Sequence, residues 1–469
     1  MTGSIVLLHI GIALVGVIAL IVWLKIEPII ALVIAALYIG IASGVGLNES
    51  VAAVNSGFAE LMGEIGLLIT FGVLLGVLLQ ALGAAERTVE LIARKVAPKR
   101  LPYVTAIVLT LGFPAIFAEV LAVIAAPVTK TAARRIGPTG NAQMSGAAIS
   151  GIIIGTMFVV PGAGVIALAG LVDVPLSQMI LYGIPTGLLT VLITTLIFVR
   201  LSKTRCWNPE TDEQPEVRIA AEGAENPSIP DKDVDSIQSR PAGRNLGAAT
   251  APAVKQAPLA LCVLPLAVVL IPIMAHAGLK VVGVENPFLT FIGNPFISLF
   301  AGLLLTYAIA ARYLDLPTTQ KALKTGVQQC GSILILTGVS GGLGAIVKVT
   351  GISDYLAGLF SSGMLSPLLL VWIIAAVLHA AVGSVTVGAF TAVGVIAPVM
   401  PLIDVNPVLI ALAAGSGAMG AGMVTANAFW LFQTVFGLKT RGTFKIYTVG
   451  MTIASMVSLA ILMAINLVV

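Results

Sequence analysis

Residues 112–120 read GFPAIFAEV and residues 379–387 read HAAVGSVTV, and these two stretches decide the fold. Each interrupts apolar sequence with helix-breaking or polar residues. The apolar run on either side is about ten residues long, whereas a transmembrane helix needs about 20. The pattern predicts re-entrant hairpins, because irregular backbone is tolerated at membrane depth only inside protein or beside a wet cavity. We expect the first hairpin at about residues 102–134 and the second at about 367–402.

The composition is that of an integral membrane protein. The chain has 469 residues, of which 58% are hydrophobic and 10% are charged. Soluble domains carry about 25% charged residues. The first apolar run, Ser4 to Leu24, lacks a preceding basic residue and a following small-residue cleavage site, so we expect a retained span. The three cysteines have no metal-ligand or disulfide spacing. No cofactor, metal or nucleic-acid partner is indicated.

One polar segment divides the chain. Residues 206–258 are rich in Asp, Glu, Pro, Gly and Ser, which predicts a flexible linker. It separates an N-terminal membrane repeat, residues 1–205, from a C-terminal one, residues 259–469. Positions related by offsets of 265 to 271 residues suggest that the halves are diverged copies: Pro102 and Pro367, Pro127 and Pro398, Gly170 and Gly437, and Gly183 and Gly450.

Each half is predicted to contain five transmembrane helices and one hairpin, so the fold class is all-α with two inverted repeats. The expected spans are near 4–24, 28–46, 65–85, 142–172 (broken) and 175–199, then 259–275, 288–311, 329–348, 407–437 (broken) and 446–468.

Loop charge favours opposite orientations for the two hairpins. Arg100 and Arg135 belong to basic groups on both sides of the first hairpin, which places those loops in the cytoplasm. The loops around the second hairpin contain Asp354 and Asp404 but no Lys or Arg. We therefore expect the second hairpin to enter from outside, the linker to be cytoplasmic and both termini to lie outside.

Glu119 is the main functional candidate. A carboxylate at membrane depth costs about 2.5–3.5 kcal/mol on insertion scales and is by default functional. Glu119 could carry a proton, bind a cation or accept hydrogen bonds from substrate hydroxyls. A structural alternative is pairing with Lys130 or with a helix N-terminus.

The broken span of the first half contains Thr156, Pro161, Gly162 and Gly164. Its breakers would free backbone N–H groups at mid-membrane, and the N-terminus of the following half-helix would favour an anion. The alternative is close helix packing through small residues.

The second half offers hydroxyl and amide groups at equivalent places. Thr425 and Asn427 interrupt its broken span, while Gly383, Ser384, Thr386 and Thr391 make the hairpin tip rich in hydroxyls. Such groups suit a carboxylate or polyhydroxylated solute. Ser and Thr also commonly bond to their own helix.

Rival functions fit less well. Residues 338–342, GVSGG, match G-x-S-x-G, and an intramembrane serine protease could pair Ser340 with His379. Gly-rich membrane sequences produce this pattern by chance, its proper context is a strand-to-helix turn, and we favour a structural His379. The sequence has no G-x-x-x-x-G-K-[ST] phosphate loop, which argues against an ATP-driven pump. A channel remains an alternative.

Several long stretches resemble the gluconate permease family of bacterial sugar-acid:proton symporters. They are residues 367–400, PLLLVWIIAAVLHAAVGSVTVGAFTAVGVIAPVM, residues 410–438, and in the first half FAEVLAVIAAPV and LYGIPTGLLTVLI. The resemblance implies a secondary transporter of gluconate-like acids in the bacterial inner membrane, inverted repeats with hairpins, elevator-type motion and, in several members, dimers. Glu119 matches the family's first-hairpin glutamate, and Gly383, Ser384 and Thr386 match its second-hairpin tip.

Two departures are evident. The family's first broken span typically carries a histidine, whereas residues 157–164 read MFVVPGAG; its second typically has Asn-Asp-Pro, whereas residues 425–428 read TANA. We predict a symporter, not an enzyme, that imports a small organic acid anion, foremost a sugar acid, with protons. Sodium coupling, or another hydroxy or amino acid, is the alternative. Glu119 is the predicted coupling residue, and the predicted substrate-binding residues are Phe117, Thr156, Pro161, Gly162, Gly164, Gly383, Ser384, Thr386, Thr425 and Asn427.

Overall fold

The computed structural model describes residues 3–215, 257–281, 286–351 and 366–468. Within these ranges the regular structure is helical apart from an isolated β-bridge between Glu213 and Leu438. The helices up to residue 215 are α1 Gly3–Val22, α2 Pro28–Ala42, α3 Leu47–Ala81, α4 Ala84–Lys95, α5 Leu101–Gly112, α6 Ala118–Arg134, α7 Gly140–Phe158, α8 Ala163–Leu171, α9 Leu176–Leu201 and α10 Pro209–Asp212.

The helices that follow are α11 Leu259–Val281, α12 Pro287–Ile292, α13 Pro295–Tyr313, α14 Leu316–Val349, α15 Pro367–Val382, α16 Val385–Ile396, α17 Pro407–Met419, α18 Asn427–Val435, α19 Thr440–Thr443 and α20 Met451–Asn466. A 3₁₀ segment, Ala397–Leu402, follows α16, and a π-helical segment, Phe444–Gly450, joins α19 to α20. Asp354 and residues 216–256 of the predicted linker lie outside the described residues.

The prediction of an all-α membrane protein with several spans is confirmed. Seven helices in the described ranges are long and apolar enough to cross a bilayer, when α7 and α8 count as one broken helix and Thr440–Asn466 as another single unit. The described ranges also contain shorter apolar helices, among them α15, α16 and α17. Packing of the helices buries one large apolar cluster and a smaller one that includes Ile92, Leu101 and Met144.

Two spans begin much earlier than the sequence suggested. The span expected at 65–85 is the 35-residue helix α3, and the span expected at 329–348 is the 34-residue helix α14. Polar residues in the first half of each helix interrupt its apolar pattern, so the sequence placed the start of the helix too late. The two cross closely at a pair of glycines, since a Cβ on Gly57 would lie 2.5 Å from the carbonyl oxygen of Gly341.

The two halves present the same order of elements. A long helix (α3 or α14) precedes a helical hairpin (α5–α6 or α15–α16), a broken helix (α7–α8 or α17–α18) and a final long span (α9 or Thr440–Asn466). The order is that expected of a repeat. The inverted orientation and the re-entrant placement of the hairpins remain predictions.

The first residues of the predicted linker belong to the folded body. The backbone N–H of Gln214 donates to the carbonyl of Gly437 at 2.9 Å, and the N–H of Lys439 donates to the carbonyl of Asp212 at 2.9 Å. Composition suggested a solvated chain from residue 206 onward. Asp212 is instead buried against Lys445, so residues 206–214 pack on the protein.

Candidate functional site

Four helix N-termini meet at one cavity of about 260 Å³. They are the first turns of α6, α8, α16 and α18, two from each half of the chain. Ligand sites for small molecules usually span about 300–1,000 Å³, so this cavity suits a small solute. Its lining consists of residues 114–119, Ile153, Thr156, Met157, Ala163, Gly164, Ser332, Ile333, Leu336, residues 383–386, Asn427, Ala428, Phe432 and Tyr447.

The tip of the first hairpin is a sharp break between α5 and α6. Pro114 forces the preceding Phe113 out of helical geometry, and Phe113 has φ −139° and ψ 35°. The chain re-enters a helix after Phe117, which has extended backbone at the N-cap. Glu119 therefore lies in the first turn of α6, where it is exposed and lines the cavity.

The tip of the second hairpin requires glycine. Gly383 has φ +76°, and a Cβ there would lie 2.5 Å from the carbonyl oxygen of Thr425. Ser384 caps α16 by accepting a 3.4 Å hydrogen bond from the N–H of Val387, and its hydroxyl lies 3.1 Å from that of Thr386. Both hydroxyls line the cavity.

At the first broken helix, only part of the predicted set faces the cavity. Thr156 and Gly164 line it, and the Thr156 hydroxyl donates to the carbonyl of Ile153 at 2.9 Å. Pro161 and Gly162 are buried and do not line it. They form the break itself, and Gly162 is the N-cap of α8.

At the second broken helix, Asn427 lines the cavity and Thr425 does not. The Thr425 hydroxyl donates to the carbonyl of Ala380 at 3.0 Å. His379 is fully buried, and its Nδ1 lies 2.8 Å from the carbonyl oxygen of Gly420, so this nitrogen must carry the proton and donate. These two bonds fasten the second hairpin to the break. Thr391 lies buried in α16, away from the cavity lining.

Other lining residues come from elements that the sequence did not single out. Ser332 lies in the middle of α14, and Tyr447 lies in the π-helical segment before α20. Tyr447 packs against the second break, since a Cβ on Gly422 would lie 2.6 Å from its ring. A serine or tyrosine inside an apolar span carries no local signal of a site, and Phe432 and Met157 look like core residues.

The geometry gives no support to a serine protease. The Ser340 hydroxyl donates to the carbonyl of Leu336 at 2.9 Å inside the continuous helix α14, which is not a strand-to-helix turn. His379 is bonded to Gly420 instead. Within the described residues no group of three or more His, Cys, Asp or Glu side chains is arranged to hold a metal ion.

The helix N-termini at the cavity favour a carboxylate ligand. Helix N-termini carry unpaired N–H groups and the positive end of the helix dipole, which attract anions. Among the lining residues in the described part of the chain, Glu119 is the only one with a charged side chain. The remaining polar side chains are hydroxyls, one amide and one phenol, which can bond to hydroxyl groups of a solute.

A family comparison agrees with this architecture. The model of the GntP family permeases matches residues 5–468. The chain belongs to the GntP permease family. This GntP permease is 28% identical to the D-serine transporter DsdX of Escherichia coli K12 over 96% of the chain and 95% of that protein. It is 26% identical to the gluconate permease of Bacillus subtilis strain 168, over 99% of the chain and all of that protein.

A solved transporter shares the fold of this GntP permease. The crystal structure of the YdaH transporter of Alcanivorax borkumensis superposes with a TM-score of 0.53 at 13% identity, covering 89% of the chain and 88% of that chain. The likeness concerns the fold alone. The family assignment establishes a multi-span bacterial membrane transporter, as the sequence predicted, and not an enzyme.

Proposed function

We propose that this GntP permease is a secondary active transporter that imports a small organic acid anion, foremost gluconate or a related sugar acid, together with protons. The single observation that carries the proposal is the convergence of four helix N-termini on a cavity that also contains Glu119. The helix ends supply N–H groups for a carboxylate. Ser332, Ser384 and Asn427 supply partners for hydroxyl groups of the same molecule.

The proton coupling follows from charge. A carboxylate substrate and an ionised Glu119 would repel each other, and two unit charges 4 Å apart interact by about 4 kcal/mol at an effective dielectric of about 20. A proton on Glu119 removes this repulsion, so proton and anion favour each other's binding. This reciprocal linkage is what a symporter requires.

The opposed placement of the two halves is part of the proposal. If the repeats are inverted, the hairpins approach the cavity from opposite faces of the membrane, each ending near mid-depth. The repeated order of elements in both halves supports this arrangement. So does the contrast between the basic loops of the first hairpin and the loops of the second, which lack Lys and Arg.

A hydroxy amino acid is the second candidate solute. Glu119 could pair with an ammonium group while the helix N-termini hold the carboxylate, and no basic side chain lines the cavity in the described residues. A zwitterion would then need no proton on Glu119 to enter. A relative at 28% identity is named as a D-serine transporter.

Uptake into proteoliposomes tests the proposal. Purified protein would be given a panel of labelled acids, including gluconate, idonate and D-serine, under imposed proton or sodium gradients. We expect an inward proton gradient to drive accumulation of a sugar acid. Accumulation of none of the acids under any gradient, or equilibration without concentration, would refute an ion-coupled transporter. Accumulation driven by sodium alone would refute proton coupling.

A further inference from the structure

Residues 206–214, which we call the clasp, lie between the end of α9 and the second half of the protein. Their backbone pairs with the turn between α18 and α19. Gln214 donates its N–H to the Gly437 carbonyl, and Asp212 accepts at its carbonyl from the N–H of Lys439, both at 2.9 Å. The Gln214 side-chain amide also donates to the Leu438 carbonyl at 3.0 Å. The clasp therefore docks on this turn through several backbone groups.

Asp212 is the centre of the clasp. Its side chain is fully buried, its Oδ2 lies 2.5 Å from Nζ of Lys445, and its Oδ1 lies 3.5 Å from Nε of Arg441. Its Oδ2 also accepts from the N–H of Asn208 at 2.8 Å, which closes the clasp on itself. A buried carboxylate is tolerated only when paired and hydrogen-bonded in this way.

The segment that the clasp contacts contains residues that line the cavity. The turn follows α18, whose first residue Asn427 lines the cavity. Two residues after Lys445, in the same π-helical segment, Tyr447 also lines the cavity. Lys445 thus lies between two cavity residues along the chain, Asn427 before it and Tyr447 after it. An ion pair that fixes Lys445 also restrains the segment that carries them.

We propose that Asp212 is a positioning residue, whose ion pair with Lys445 holds the segment from Asn427 to Tyr447 in place at the cavity. Through it, the end of the first half restrains an element of the second half. The inference rests on the proposed function only in treating this cavity as the transport site. The position of Asn427 itself can be measured without any substrate.

The test measures the reactivity of a cysteine placed at the cavity. In protein with Cys206→Ser, Cys262→Ala and Cys330→Ala, Asn427→Cys is labelled with N-ethylmaleimide in proteoliposomes. The clasp variants are Asp212→Asn, Lys445→Gln and the double variant. The matched control is Glu210→Gln, because Glu210 is exposed on the same short helix α10 and contributes only its backbone carbonyl to Lys439.

We expect Asp212→Asn and Lys445→Gln each to change the labelling rate by about fivefold or more, since breaking a buried pair releases the segment. The double variant should match the single ones, because both changes remove one interaction. Glu210→Gln should label at the parent rate. An unchanged rate in Asp212→Asn, or fully additive effects in the double variant, would overturn the proposal.

If Asp212→Asn fails to fold, a second pair of variants, Lys445→Arg and Lys445→Gln, still tests the proposal. Lys445→Arg keeps the charge and should label near the parent rate, whereas Lys445→Gln should not. Equal rates for these two variants would overturn the proposal. Labelling requires no transported solute. A negative labelling result therefore refutes the role of Asp212, whereas a negative uptake result refutes the proposed transport function.

Discussion

The hydroxyl of Thr425 donates a 3.0 Å hydrogen bond to the backbone carbonyl of Ala380. Thr425 lies in the break of the second broken helix, and Ala380 lies near the end of the first arm of the second hairpin. A second bond joins His379 to the Gly420 carbonyl. The two bonds connect the second hairpin to the second break, which are about 40 residues apart in sequence. The second hairpin tip and the second break therefore form one structural unit at the cavity.

Removing the Thr425 hydroxyl should loosen this unit. We expect Thr425→Val to lower the free energy of unfolding by about 0.5–1.5 kcal/mol, the usual net contribution of one hydrogen bond. Thr425→Ser keeps the donor and should remain close to wild type. Thermal unfolding of the purified protein in detergent checks both. If Thr425 bound substrate directly, Thr425→Val would instead raise the apparent KM without changing stability.

Gly383 should not tolerate a side chain. Its φ of +76° costs a residue with Cβ about 1–2 kcal/mol, and the new Cβ would lie 2.5 Å from the Thr425 carbonyl. We expect Gly383→Ala to lower both thermal stability and uptake. Gly63→Ala is the control, because a Cβ at that position of α3 meets nothing within 4 Å. Equal stability of the two variants would show that the tip is not strained.

Docking of the clasp should depend on pH through Glu213. Burial, with the neighbouring Asp212 charge, raises the pKa of Glu213 from 4.5 to about 7, despite hydrogen bonding from Trp207 and Asn141. The basic groups of the docked clasp, Lys439, Arg441 and Lys445, bind Asp212 or the Glu210 carbonyl.

Because the pKa of Glu213 is raised on docking, docking is weaker at higher pH. Below about pH 4.5 Glu213 is protonated whether docked or free, so docking is most favourable there. Docking weakens as pH rises from 4.5 to about 7 and levels off above that. Hydrogen-exchange protection of residues 206–214 should therefore fall as the pH rises to about 7, by up to about tenfold per pH unit, and stay level above that. In Glu213→Gln the protection of residues 206–214 should no longer depend on pH. The same pH profile in this variant as in the wild-type protein would show that Glu213 is not the group responsible.

Opposite entry of the hairpins can be tested by labelling from one side of the membrane. Arg134, at the end of the first hairpin, and Asp404, after the second, are both exposed. In a cysteine-free background, an impermeant maleimide added outside intact cells should label Asp404→Cys and not Arg134→Cys. Labelling of both cysteines from the same side would contradict the inverted arrangement.

Much of the fold could be predicted from sequence because its signals are local. Pro114 and Gly383 break their helices through constraints on their own local backbone, and apolar length identifies spans. Glu119, Ser384 and Asn427 were found because polar groups are rare at membrane depth. The predicted set thus contained most of the polar groups that line the cavity.

The remainder depends on contacts between distant segments. Ser332 lies in α14 and Tyr447 in the π-helical segment, and both reach the cavity only through the packing of these elements. Thr425 looked equivalent to Asn427, yet its hydroxyl bonds to the hairpin. The clasp was read as solvated linker because composition does not show that Asp212 meets Lys445, which is 233 residues away.

The central claim is that Glu119 couples proton binding to substrate binding in this cavity. Its most direct test is Glu119→Gln in proteoliposomes, with the acid that the wild-type protein accumulates and Glu27→Gln, an exposed carboxylate before α2, as control. We predict that Glu119→Gln still exchanges internal for external substrate but no longer accumulates it under a proton gradient, while Glu27→Gln behaves as wild type. Accumulation by Glu119→Gln with the wild-type dependence on pH would contradict the account.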